Sequence, residues 1–337
     1  MNAHKFPEPN SLRPATHPLM RRRHFLKSAS VAVAVACLPP IDRSRTGGVV
    51  QAQGRVGGFR GPLCFFSKHL AEVEPRRMAE SLRQVGFTGV DLTVRAGGHV
   101  APERAAEELP KVFAAIREAG LEVPMITTGL TSAADPTARP IISAAGKLSI
   151  PFFKPGYYRY KFDDVRDELR RAGIELRGLA ELCKQFGVRL GYHNHSSYLG
   201  AHVWDAATVI DQLDPKWAGY YFDIRHATVE GGEGGWKIAT HLVAPRLLMI
   251  AVKDFYWEKT VKGWKVKDCP LGEGMVNWKA YFGILAKSNF QGPISFHFEY
   301  EVGGLTASAK DDNMLAAAKR DLDFLKARLK EAYGDSA

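Results

Sequence analysis

The sequence predicts a single closed (βα)8 barrel, and three observations carry that expectation. Short β-prone runs alternate with amphipathic helical stretches from residue 63 to the C-terminus, the runs number eight, and no Gly-rich phosphate turn follows the first of them, as it would in an open doubly wound sheet. The length of 337 residues, with 45% apolar and 24% charged side chains, fits one large domain and excludes collagen-like, disordered and membrane-embedded chains.

The elements follow in order. Leu63–Phe66 is the first strand, followed by Ser67-Lys68-His69. A helix over 73–85 leads to a strand at Gly89–Val94, a helix over 103–119 to Glu122–Thr127, and a helix over 137–146 to Leu148–Phe153. In 163–186, Val165, Leu169, Ala172, Leu176, Leu179, Leu182 and Phe186 recur at three- and four-residue steps, the single buried face of a helix. It feeds the fifth strand, Val188–Tyr192. A helix over 203–212 precedes Gly219–Asp223, one over 235–242 precedes Leu247–Lys253, one over 277–287 precedes Pro293–Glu299, and a helix over 306–330 closes the chain. Gly120, Gly187 and Gly292 stand between helix and strand, where a left-handed residue is wanted. Alternating units with right-handed crossovers give a parallel sheet, here a closed one.

Residues 1–52 read differently. They hold eight Lys or Arg against Glu8 and Asp42, so the residues from Gln53 onward carry only +4 of the net +10. No basic block remains there, and a nucleic-acid partner is not expected. Arg22-Arg23-His24-Phe25-Leu26-Lys27, followed by a weakly apolar run from Ser28 to Leu38, resembles a twin-arginine export signal, with Arg21 where Ser or Thr is usual. A run of that length is too short to cross a bilayer core of about 30 Å, so no stable membrane span is expected. The resemblance implies the twin-arginine export machinery as a partner and a periplasmic or otherwise extracytoplasmic location. The expected organisation is an export signal and linker over 1–52 and a catalytic barrel over 53–337; an oligomer is compatible with it. Cys64, Cys183 and Cys269 are too few and too widely spaced for a disulfide framework or a zinc site.

Chemistry in such barrels collects at the C-terminal ends of the strands. There the period-two alternation groups His193 with His195, places Asp223 at the end of strand six, pairs Ala251 with Lys253, and puts Ser295, His297 and Glu299 on one face. Imidazoles and carboxylates converging on one rim suit Mn2+, Zn2+ or Fe2+. Lys253, facing inward, is placed to neutralise an enolate oxygen or exchange a proton. Asp91 and Arg95 on strand two, His69 after strand one and Lys154 after strand four are rim candidates for substrate binding. Tyr157, Tyr158, Tyr192, Tyr198 and Trp257 are among the aromatics near the loops, where flat rings suit sugar faces.

Taken together, Gly89-Val90-Asp91-Leu92-Thr93, Gly191-Tyr192-His193-Asn194-His195, Phe222-Asp223-Ile224-Arg225-His226, Val252-Lys253-Asp254, Leu271-Gly272-Glu273-Gly274 and His297-Phe298-Glu299 resemble the sugar phosphate isomerase/epimerase group of xylose isomerase-like TIM barrels over about residues 60–330. The resemblance implies a divalent metal held from strands five to eight, which falls position by position on His193, Asp223, Ala251 and His297, with Glu299 two residues on. Only Asp223 keeps its usual type, and Ala251 cannot coordinate; His195 or Glu299 would have to restore the shell. It also implies a substrate hydroxyl contact for His226. The expected activity is that of a sugar isomerase or epimerase removing a proton next to a carbonyl, with Lys253, His195 and Glu299 as catalytic groups, His226, Asp91, His69, Lys154 and Tyr192 as substrate contacts, and an unphosphorylated sugar or keto-sugar as substrate. A keto-glycoside lyase or inosose dehydratase-like β-elimination is the first alternative, and a non-catalytic carbohydrate-binding barrel the second.

Overall fold

The computed structural model describes residues 58–335, all within the unit Gln53–Ala337; the expected export signal lies outside the described residues. Eight parallel strands close into a barrel: β1 (Leu63–Phe66), β2 (Gly89–Val94), β3 (Glu122–Thr128), β4 (Phe152–Lys154), β5 (Arg189–His193), β6 (Ala218–Asp223), β7 (Leu247–Val252) and β10 (Ile294–Phe296). Between β7 and β10 a hairpin, β8 (Asp254–Thr260) with β9 (Gly263–Cys269), projects from the barrel. The eight-strand expectation holds, and the hairpin was not expected: its strands mix charged residues with aromatics on a largely solvated ribbon, a pattern without the long apolar run that marks a barrel strand.

The helical layer is α1 (Pro75–Val85), α2 (Ala105–Glu118), α3 (Ala138–Lys147), α4 (Val165–Phe186), α5 (Val203–Ile210), α6 (Ile224–Val243), α7 (Trp278–Lys287) and α8 (Ala307–Tyr333). Local chemistry sets their ends. The Asp164 side chain caps α4 by accepting from the amides of Arg166 and Asp167, and Gly187 ends it at φ 72°. Gly292 is not left-handed as expected; Asn289 is, at φ 54°, and a Cβ on Gly292 would collide with the Leu248 carbonyl oxygen, so the glycine is there for close approach.

Two element boundaries differ from expectation in ways that matter below. The fourth strand begins at Phe152 and not at Leu148, because Leu148 still caps α3 and Ser149 turns the chain at φ 56°. The sixth helix begins at Ile224 and not near 235. Asp223 caps it by accepting from the His226 amide, and only Gly232 departs from helical angles within it. His226 therefore sits in a helix's first turn, three residues past its capping carboxylate.

Apolar side chains fill the space between barrel and helices, and a smaller cluster including Met125, Tyr221, Met249 and Ala251 fills the barrel's interior. Asp91 lies fully buried in that interior. It accepts from Thr127 Oγ1 at 2.7 Å, Ser295 Oγ at 2.7 Å and Tyr221 OH at 3.3 Å, tying β2, β3, β6 and β10 together from within. Burial pushes its carboxyl up to about 6 against those three hydrogen bonds. Cys64, Cys183 and Cys269 are free and buried, and no described helix is long and apolar enough to cross a membrane.

Candidate active site

The C-terminal ends of all eight barrel strands deliver side chains to one enclosed cavity of about 100 Å³. Phe66 and Lys68 come from the end of β1, Arg95 follows β2, Thr127 belongs to β3, and Lys154 ends β4 with Tyr157 just beyond. His193 and His195 come from β5, Tyr221 from β6, Lys253 from just past β7, and His297 and Glu299 from just past β10. Larger hollows of about 600 and 950 Å³ lie at the opposite, N-terminal end of the strands and beside the hairpin. Neither gathers acid–base groups from several strand ends, which is where barrel chemistry sits.

Asp223 organises the mouth. Its Oδ2 lies 3.1 Å from His193 Nε2 and 3.1 Å from Lys253 Nζ, and its Oδ1 accepts from the His226 amide. Asn194 fixes its backbone, accepting from the Asp223 amide at 2.7 Å and donating to the Asp223 carbonyl at 3.0 Å. Burial alone would raise this carboxyl, but Lys253, His226 and His193 carry it well below the usual range. Because an ionised carboxylate only accepts, His193 Nε2 carries the proton and Nδ1 is the acceptor, so Tyr157 OH donates to Nδ1 at 2.8 Å. Burial first, then Lys253 and Lys154, hold His193 neutral down to about 3 despite Asp223.

His195 presents to the cavity an imidazole nitrogen, Nε2, with no hydrogen-bond partner among the described residues. Its Nδ1 donates to the Ser196 carbonyl at 2.9 Å, which fixes the tautomer and leaves Nε2 with a free lone pair. Burial and then Lys253 lower its pKa from 6.5, so the ring is neutral at neutral pH. His297 Nε2 meets Tyr221 OH at 3.0 Å, and its ring stacks on Phe66 at 4.4 Å. Glu299 is bound by Lys68 at 2.7 and 2.9 Å; burial opposes but Lys253 and Lys68 bring it to about 2.

Other expected residues stand outside the cavity's lining. Asp91 is the interior tie described above. His69 Nε2 accepts from the Phe298 amide at 3.0 Å and joins β1 to the end of β10. Tyr192 packs among the barrel-to-helix apolar residues with its hydroxyl on the Leu199 carbonyl. His226 lies behind His195 at a ring separation of 4.0 Å, its Nδ1 near Ser196 Oγ at 2.9 Å. Asp254 clamps the following loop through the amides of Gly272 and Val276 and the Trp278 indole, so the Lys-Asp and Leu-Gly-x-Gly signals mark a structural latch beside Lys253. Lys68, Thr127 and Tyr221 were not singled out in the sequence; for Lys68 its place directly after the first strand was the available signal.

His193, Asp223, His297 and Glu299, expected as metal ligands, surround this mouth, but the donor set does not fit a divalent ion. Asp223 Oδ2 is shared by an ammonium and an imidazole N–H, His297 faces a hydroxyl, Glu299 holds Lys68, and Ala251 offers nothing. Among the described residues no group of three or more His, Cys, Asp or Glu is arranged to hold a metal.

Residues 79–328 match a family described as Xylose isomerase-like TIM barrel. An inosose dehydratase of Bacillus anthracis is 25% identical over 164 residues, 44% of this chain and 52% of its own, so the chain spans about half the length of that curated relative. A xylose isomerase-like TIM barrel protein from Mycobacterium smegmatis, in complex with magnesium, superposes with a TM-score of 0.63 at 14% identity, over 81% of this chain and 98% of its own. The apo 3-keto-D-glucoside 4-epimerase from E. coli does so at 0.60 and 16% identity, over 80% and 100%. At these identities the superpositions speak to the fold.

Proposed function

The chain belongs to the xylose isomerase-like TIM barrel family, and from that premise we propose that it is a sugar-modifying enzyme that isomerises or epimerises an unphosphorylated sugar or keto-sugar by removing a proton next to a carbonyl. The observation that carries this reading is the Lys253 ammonium seated on Asp223 inside the cavity that His195 also lines. The substrate carbonyl oxygen lies against Lys253, whose fixed charge stabilises the enediolate as it forms in a site screened from water. His195 Nε2 takes the proton from the adjacent carbon and returns it. Tyr157, aligned by His193 and Asp223, contacts the substrate hydroxyls, and Lys68 holds Glu299 ionised at the edge. No step is assigned to a metal, since the donors present do not fit one.

A second reading, β-elimination from the same carbanion, is supported by the likeness to inosose dehydratase; there the proton that His195 takes from carbon passes to the departing hydroxide, which leaves as water. Solvent-deuterium wash-in decides whether this is an enzyme of either kind. Incubated in D2O with ketoses, inososes and 3-keto-glycosides, the protein should place deuterium next to the carbonyl of its substrate, and His195→Gln should not. Binding without wash-in for every compound would contradict the proposal and favour a carbohydrate-binding barrel. Export is proposed as well: replacing Arg22 and Arg23 by Lys should retain the protein in the cytoplasm on fractionation.

A further inference from the structure

The charges lining the cavity do not cancel locally. Lys68 is committed to Glu299 and Lys253 to Asp223. Two further cations, Arg95 and Lys154, line the same cavity, and among the described residues neither side chain has an ion pair or hydrogen bond. Their only close partners are rings: Lys154 Nζ lies 3.5 Å from the Tyr157 centroid, and the Arg95 guanidinium 5.6 Å from that of Phe66. Asp91 lies below and attracts Lys154, but its oxygens are taken by Thr127, Ser295 and Tyr221.

An uncompensated ammonium only 2% exposed is expensive. Burial and then the repulsion of Arg95 lower its pKa to about 7, so part of its charge is already lost in the unliganded site. An anion placed between the two would reverse that repulsion. The planar fork of Arg95 takes two oxygens of a carboxylate, and Lys154 supplies a point charge beside it. The planar Arg95 fork matches the two coplanar oxygens of a carboxylate, which is the ground for preferring it to a tetrahedral phosphate.

We propose that the substrate carries a carboxylate, as a sugar acid or keto-sugar acid, and that Arg95 and Lys154 bind it while the reacting carbonyl faces Lys253. This rests on the sugar-modifying reading of the same cavity and adds the substrate's chemical class. Arg95 and Lys154 are then specificity-determining residues on the β2–β4 side of the mouth, opposite the reacting groups of β5 to β10.

Equilibrium calorimetry on the full chain tests it without any turnover. The probes are a panel of hexuronates and aldonates, each titrated beside its neutral hexose or alditol and its 6-phosphate. At least one acid should bind about tenfold or more tightly than its neutral partner, and Arg95→Gln and Lys154→Met should each remove about tenfold of that preference. Arg95 is only partly buried, so R95Q keeps the test open if K154M fails to fold. Neutral partners binding as well as the acids, acid binding unmoved by R95Q, or phosphates bound preferentially would each overturn the carboxylate assignment. Acid binding that needs Arg95 in a protein without wash-in would uphold this inference and refute the catalytic reading; wash-in on neutral sugars with no acid preference would do the reverse.

Discussion

Two buried carboxylates stand one above the other in the barrel. Asp91, in the interior, is held by three hydroxyls and its carboxyl is pushed up to about 6. Asp223, at the mouth, is held by an ammonium and an imidazole and lies well below the ordinary range. Burial is complete in both, so the partners make the difference. Hydroxyls satisfy a carboxyl in either protonation state and make it a structural tie; fixed cations force ionisation and make it a device for aiming those cations. Tyr221 links the two, donating to Asp91 and facing His297.

Neutralising each carboxylate should break the comparison open. Asp223→Asn is expected to lower the wash-in rate by about 10²–10³-fold, the scale of removing one oxyanion partner, because Lys253 loses the carboxylate that aims it. Asp91→Asn should leave the rate within about threefold and shift stability by no more than about 1 kcal/mol in denaturant titrations, since its hydroxyl partners can reorient. His195→Gln should cost about 10²–10⁴-fold as the loss of a general base. In the wild type the rate should be flat near neutrality and fall only as pH drops below 6.5, because the lowered pKa of His195 delays its protonation.

A metal test sharpens the same contrast. Chelation should leave the wild-type rate unchanged. The double variant Ala251→His with Lys253→Gln, which adds a strand-seven imidazole and frees Asp223 Oδ2, should gain Zn2+ affinity by calorimetry that the parent lacks.

The smallest expected effect is on stability. His69 and His193 are held neutral to about 3 against an ordinary 6.5, so the unfolded chain binds more protons in that window and stability should fall as pH drops through it. Asp91 acts the other way between 3.8 and about 6, where the folded state binds the extra proton. Asp91→Asn should therefore steepen the loss of melting temperature on acidification.

Much of this was legible before any coordinates. The eight-strand rhythm, the rim placement of His193, His195, Asp223, Lys253, His297 and Glu299, and the inward direction of Ala251 and Lys253 all follow from periodicity. Which polar residue faces which was not legible, because hydrogen-bond direction depends on neighbours far along the chain. Asp91 and Tyr192 have the sequence surroundings of site residues, yet one closes the barrel's interior and the other packs against the helices. The Asp223-x-x-His226 spacing reads as chemistry and is also a helix cap. Asp254 and the Leu-Gly-x-Gly loop read as site signals and form a latch. The unpaired state of Arg95 and Lys154 needed every other charge in the mouth to be assigned first.

In the proposed reaction Lys253, aimed by Asp223, supplies the charge that stabilises the enediolate. The most direct test of that role is the solvent-deuterium wash-in rate of Lys253→Gln beside Asp91→Asn, measured with chelator present. A loss of about 10²–10³-fold is expected for the first, the scale of removing one oxyanion partner, and almost none for the second. Equal rates in the two variants, or wild-type exchange abolished by the chelator, would contradict it.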